Sequence, residues 1–155
     1  MKKIQTLCII YKHPHILLGM KKRGFGAGKW NGFGGHVEKG EEIPAAAKRE
    51  LFEEAGVEVE NFEKAGVLNF YFPDGKNLEA HVFRANDFIG EPSESEEMRP
   101  QWFHIDEIPF HEMWSDDKHW MPLFLEGKKF NGKFIFDENT NISDFELNTV
   151  LYESF

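Results

Sequence analysis

Gly35-His-Val-Glu-Lys-Gly-Glu41-Glu-Ile-Pro44-Ala-Ala-Ala-Lys-Arg49-Glu50-Leu51-Phe-Glu53-Glu54-Ala-Gly56-Val57 is the stretch on which the reading of this chain turns. Pro44 suits a first helical turn and Gly56 the position just past a last one, so a helix is expected over Pro44–Ala55. With Glu50 at zero on a wheel of about 100° per residue, Glu54 falls at about +40° and Glu53 at about −60°. Three carboxylates therefore share one wedge, where unneutralised like charges weaken a helix. A solvated acidic face is the ordinary explanation of such a pattern. Two features favour a site instead. Ala46 and Ala47 lie on the same side one turn earlier and leave room for approach. The helix also follows a glycine loop, which can bring backbone N–H and carbonyl groups to the same place. Hard oxygen ligands around an open space are what Mg²⁺ requires.

Outward from this stretch, six of the twelve residues from Gly24 to Gly35 are glycine, which predicts a loop with unusual backbone angles. Before it, Ile4–Tyr11 and Ile16–Lys21 read as strands of a hairpin, turned at His13-Pro14-His15. After the helix, strands are expected at Lys64–Phe72, Leu78–Asn86 and Gln101–Ile105. A second helix is expected from about Asp116 to Leu125, with Pro122 telling against an undisturbed one. The tail, Gly132–Leu151, suggests two more strands. The mixed order predicts an α/β fold, a sheet covered by helices on both faces. No repeat, low-complexity tract or linker divides the chain, so residues 1–155 are expected to form one domain.

The balance of 18 Lys plus Arg against 27 Asp plus Glu, a net −9, argues against a general nucleic-acid binder, which needs a basic face. A phosphate ligand would need a cation to offset that acidity locally. Lys21, Lys22, Arg23 and Lys29 flank the glycine loop, and for Lys22, Arg23 and Lys29 ordinary surface charge is an equally good explanation. No run approaches a membrane span, and Tyr11, Lys12 and His13 end the first apolar stretch before it could serve as a signal peptide. The lone Cys8 forbids an internal disulfide and suits the cytoplasm. Sixteen Phe and four Trp can fill a core or stack on a planar ligand.

The opening stretch resembles the Nudix box, Gly-x5-Glu-x7-Arg-Glu-Uaa-x-Glu-Glu-x-Gly-Uaa, where Uaa is a bulky aliphatic residue. Gly35, Glu41, Arg49, Glu50, Leu51, Glu53, Glu54, Gly56 and Val57 all fall in register. The resemblance implies the Nudix α/β/α sandwich with a central mixed sheet, and a Mg²⁺-dependent pyrophosphohydrolase. It implies that Glu50, Glu53 and Glu54 carry the catalysis and bind the metal, joined by the carbonyl of Gly34, with Glu54 activating the attacking water. Arg49, four residues before Glu53, would hold an orienting ion pair.

Leu18–Gly35, Glu97–Phe103 and Ile108–Trp120 resemble, more narrowly, the branch of that family acting on oxidised purine nucleoside triphosphates. The likeness is weakest at Asn61–Leu78 and after Asp137. It implies that Asn31, Asp116 and Asp117 meet the base edge and that Trp114 stacks on the base. Thr6, Phe25, Phe70, Phe72, Met98 and Trp120 would line the pocket, with Lys21, Phe33, Gly34, Gly35 and His36 nearby. Glu97 becomes a further metal-ligand candidate. Ser115, in the same pocket segment, stands where proline is expected, and His36 where lysine is; both bear on loop geometry rather than on an essential group.

The chemistry is sensible on its own terms. Asn31 offers donors and an acceptor. Two adjacent aspartates among tryptophans should have raised, coupled pKa values, so one can donate a proton while the other accepts. A helix cap is the plainer reading of Asp116-Asp117, and core packing that of Phe70, Phe72 and Met98. The expected function is hydrolysis of 8-oxo-dGTP, 2-oxo-dATP or similar nucleotides to the monophosphate plus pyrophosphate, sanitising the nucleotide pool. A Nudix hydrolase of another substrate, or a non-catalytic nucleotide-binding module, are the alternatives; the Trp114–Asp117 segment opposes the first and the intact box the second. A small-molecule nucleotide is the expected partner, with no nucleic acid, no membrane and a monomeric chain.

Overall fold

Strand β1 (Lys2–Lys12) carries two apolar sets in alternation, Leu7 and Ile9 toward one core and Cys8 and Ile10 toward another. A strand apolar on both faces belongs in the middle of a covered sheet. The computed structural model, which describes residues 2–151, places it there; Met1 and residues 152–155 of the expected domain lie outside the described residues. β1 runs parallel to β5 (Asn77–Ala85) and, over Ile10–Lys12, antiparallel to β2 (His15–Lys21). The sheet continues through β4 (Glu63–Tyr71), β7 (Lys129–Phe136) and β8 (Ile142–Val150) on one side. On the other side, β2 pairs with both β3 (Trp30–Asn31) and β6 (Met98–His104). The β4/β7 pair is also parallel, so the sheet is mixed.

Helix α1 (Ile43–Ala55) buries Ala47, Leu51 and Ala55 against Cys8, Ile10 and Phe83 on one face. Gly56 ends it in the left-handed conformation, φ 73°, which costs least without a Cβ. Helix α2 (Asp117–Leu125) buries Trp120, Met121 and Phe124 with Ile9, Leu68 and Phe130 on the other. This is the expected α/β/α sandwich. Pro122 does not interrupt α2: in nine residues it removes one backbone bond, and the burial of Trp120, Met121 and Phe124 holds the element. Among the described residues no helix is long and apolar enough to cross a membrane.

The glycine loop departs from expectation. Only its first part turns on left-handed backbone, at Gly24, Gly26 and Gly28. Its second part enters the sheet. On the N-terminal side of Ile10, β1 parts from β2, and the chain from Trp30 to His36 is wedged between them. Gly19 and Met20 pair with Asn31 and Trp30, while Cys8 and Gln5 pair with Phe33 and His36. The glycines here serve close approach rather than backbone angle: a Cβ on Gly34 would lie 1.7 Å from the Thr6 carbonyl oxygen. Gly34→Ala is therefore expected to destabilise the protein by roughly 3 kcal/mol or more, because backbone rather than a movable side chain must give way. Denaturant unfolding checks this, with Gly28→Ala, where no atom lies within 4 Å of a Cβ and only the φ of 88° opposes it, as the milder comparison. Equal midpoints for Gly34→Ala and wild type would show that the wedge is looser than described.

Candidate active site

Where β1 and β2 part, a cavity of about 250 Å³ opens beside the wedge. Its lining includes Thr6, Lys21, Phe25, Asn31, Gly34, Gly35 and His36, and further Phe70, Phe72, Met98, Trp114, Asp116 and Asp117, all of them expected. Glu54 also lines it. That carboxylate is carried by α1 on one face of the sheet, yet it meets a cavity walled by Leu78, Ala80 and Phe70 from the other.

Glu54 is only 7% exposed, and its Oε1 accepts the Gly34 N–H at 2.9 Å. Burial pushes its pKa up to about 8, against the lowering effect of the Gly34 bond; Glu50 and Glu97 add to the rise and Lys21 opposes it. Burial raises Glu50 as well, opposed by its bond to Arg49. Arg49 is a hub. Its Nε and one terminal nitrogen grip Glu41 at 2.7 and 2.9 Å, another reaches Glu50 at 2.9 Å, and the His36 carbonyl accepts at 3.2 Å. The expected Arg49–Glu53 pair exists but is longer, 3.3 Å, on an exposed side chain. The bidentate Glu41 grip was not expected, although both residues stand in the motif; only the folded loop brings them together. Glu97, from the strap before β6, has its Oε1 held by Arg23 Nε at 2.8 Å.

Whether these residues fit a divalent cation can be judged from the site itself. Two partly buried carboxylates of raised pKa, with Glu97 acting on the same wall, are mutually repelling acids that a cation relieves. Gly35 makes room for one of them, since a Cβ there would fall 2.6 Å from Glu50 Cδ. The donors suit a hard cation. They are not drawn to a single point: among the described residues no three His, Cys, Asp or Glu form a cluster that could hold a metal ion, and Glu50 and Glu53 are paired with Arg49 and Glu97 with Arg23.

The other end of the cavity is aromatic and acidic. Trp114 packs on Phe25 at 5.1 Å and edge-on to Phe72 at 6.2 Å, and Phe72 stacks on Phe136 at 5.1 Å. Asp116 and Asp117 are each 3% exposed. Asp116 stands at the cap position of α2, yet its side chain makes no cap hydrogen bond; Oδ2 accepts the Trp120 indole N–H at 2.7 Å. Asp117 Oδ2 is buried without a partner. Burial raises both pKa values, Asp117's well above the ordinary carboxyl range because Asp116 beside it adds repulsion. The pair is thus not a helix cap. Asn31 Oδ1 accepts the Gly32 N–H at 2.9 Å, which turns its amide NH₂ to other acceptors.

Three expected pocket residues do not line the cavity. Phe33 is buried in the α1-side core. Trp120 sits behind Asp116, to which its indole N–H donates. The Ser115 hydroxyl donates to the Thr140 carbonyl at 3.2 Å, away from the cavity. Lys3, Gln5, Leu7, Lys76, Leu78, Ala80 and Phe136 line it unforeseen. Strand alternation could have supplied Leu78 and Ala80 once Phe70 was placed, since they face Phe70 and Leu68 across β4/β5. Phe136 could not be found that way, because it needs the parallel β4/β7 register.

The NUDIX domain family model matches residues 1–124. The chain belongs to the Nudix family. This Nudix protein is 51% identical to the oxidized purine nucleoside triphosphate hydrolase of Danio rerio and 49% identical to that of Mus musculus, each over 149 residues and 96% of both chains. Among solved structures it resembles the mutator MutT protein of Bacillus halodurans, with a TM-score of 0.84 and 30% identity over 94% of this chain and 97% of that one. Nudix hydrolases generally use divalent metal ions, and this chain keeps the box's glutamates in the fold of its relatives.

Proposed function

We propose that this Nudix hydrolase converts oxidised purine nucleoside triphosphates, 8-oxo-dGTP and 2-oxo-dATP among them, to the monophosphate plus pyrophosphate, with Mg²⁺ as the metal. The observation that carries the reading is the Asp116–Asp117 pair: two buried carboxyls beside Trp114, free of a capping role, in the same cavity as Glu54. The names of the zebrafish and mouse relatives support the same substrate class. Sanitising the nucleotide pool from the cytoplasm, as a monomer of one domain over residues 1–155 that binds neither nucleic acid nor membrane, completes the proposal.

The chain's own residues then divide the work. Trp114 and Phe72 enclose the purine, and Asn31 with Asp116 and Asp117 reads its edge. Gly34 and Gly35 bring backbone close to the phosphates, with Lys21 beside them. Glu50, Glu53, Glu54, Glu97 and the Gly34 carbonyl would hold the metal; bound there, it supplies charge stabilisation at the phosphate oxygens and acidifies water. Glu54 accepts a proton from the attacking water. Arg49 and Glu41 orient the glutamate wall.

Pyrophosphate release from a panel of triphosphates with Mg²⁺ is the direct test. The oxidised purines should lead their unmodified counterparts in kcat/KM; parity, or orthophosphate as the product, would refute the assignment. A chelator is expected to abolish turnover and Mg²⁺ to restore it, while circular dichroism stays largely unchanged, because two apolar cores hold the sheet without the site. Loss of secondary structure on chelation would make the metal structural instead.

A further inference from the structure

The register of the sheet gathers positive charge at the mouth of the cavity. Residues directly opposite on neighbouring strands share a face. His36 pairs with Gln5, and Gln5 with Ala80. Lys3 pairs with Leu78, and Leu78 with Phe70. In the turn after β4, the Phe72 N–H donates to the Lys76 carbonyl at 3.0 Å, which places Lys76 opposite Phe72. Lys3, His36 and Lys76 therefore project from the face that walls the cavity, and all three line it with Lys21. The acids on the lining are Glu54, Asp116 and Asp117, all buried, so they do not neutralise the mouth. Among the described residues Lys3, Lys21 and Lys76 form no ion pair, in a chain of net charge −9.

Lys76 is also held in place. The Gly75 N–H donates to the Phe72 carbonyl at 3.0 Å and the Lys76 N–H to Asp74 Oδ1 at 2.9 Å, which fixes the turn. Its ammonium lies 4.0 Å from the centre of the Phe25 ring, itself packed on Trp114. A fixed cation at the edge of the aromatic enclosure suits an anion attached to whatever the enclosure holds.

We propose that Lys3 and Lys76, with His36, form a phosphate-binding rim that takes the charged tail of the nucleotide whose base occupies the aromatic end of the cavity. The proposal rests on the nucleotide reading above and assigns two residues to it, Lys3 and Lys76. Rim charges act on encounter and on ground-state binding more than on the chemical step. The effect is therefore in KM and in salt dependence.

The test is Lys3→Gln/Lys76→Gln, with Lys12→Gln, at the far end of β1, as control. The double variant should raise KM for the oxidised triphosphate roughly tenfold with kcat within about twofold, and flatten the dependence of kcat/KM on ionic strength. Affinity for the uncharged oxidised deoxyguanosine nucleoside should stay at the wild-type level, and Lys76→Arg should keep most of the triphosphate affinity. Inorganic triphosphate should compete with substrate more weakly against the double variant than against wild type. Unchanged KM and unchanged competition would reduce the rim to ordinary surface charge and overturn the proposal. Failure of the nucleoside to bind wild type would instead refute the purine reading, and the inorganic triphosphate arm would still decide the rim.

Discussion

Glu54→Gln is expected to lower kcat by about 10²-fold or more while the protein stays folded. The neutral amide keeps an oxygen to accept the Gly34 N–H, so the local structure persists. What disappears is a proton acceptor and an anionic ligand at the most buried position of the glutamate wall. A near wild-type kcat at saturating Mg²⁺ would remove Glu54 from the chemistry. Stability supplies an independent reading. The folded pKa of about 8 lies above the ordinary 4.5. Without a cation, the associated stability is complete below about pH 4.5 and is lost as pH rises through about 8. Glu54→Gln cannot ionise, so in chelator it should gain on wild type steadily from pH 5 to 8. Glu50, Asp116 and Asp117 shift in the same direction. The difference between the two proteins, rather than either slope, is therefore the measured quantity.

Asp117→Asn should change the ratio of kcat/KM between oxidised guanine and oxidised adenine triphosphates by about 1–3 kcal/mol, or about 5- to 150-fold. A carboxyl can exchange donor and acceptor roles by moving a proton, whereas an amide has one fixed donor and one fixed acceptor. Asp117 should be the more sensitive site because its Oδ2 has no partner within the protein. Asp116→Asn should do less, since an amide oxygen can still accept the Trp120 N–H. Neither change should alter metal affinity. Kinetics with both substrates across pH, in wild type and both variants, decide the matter. A flat ratio through all three would deprive the pair of any part in reading the base.

The parts of this molecule that sequence exposed best are those set by local spacing. The carboxylate wedge of α1, its termination at Gly56 and the alternating apolar sets of β1 are all consequences of residues within a few turns of one another. The loop from Gly24 to Gly35 was legible as a loop only in its first half. Nothing local tells that Gly34 is needed because the Thr6 carbonyl, far away in sequence, lies against it. The cavity divides in the same way. Asp116 and Asp117 announce themselves as adjacent acids among aromatics, but the choice between cap and buried pair needed the Trp120 bond. Phe136, Lys3 and Lys76 reach the cavity through strand registers, two of them parallel, and parallel pairing joins segments with no neighbouring turn to fix their alignment.

A continuous sheet is a partition, and its hydrogen-bonded ladder seals one side from the other. The parting of β1 and β2 is an aperture in that partition. Through it a carboxylate rooted in one apolar core meets a chamber walled largely by a second, and the two cores have no residue in common. Under the roles proposed here, the reactive wall belongs to one and the discriminating wall largely to the other. A lineage built on this plan can exchange what it recognises while keeping how it cuts, and the opening between the strands is what makes the two separable.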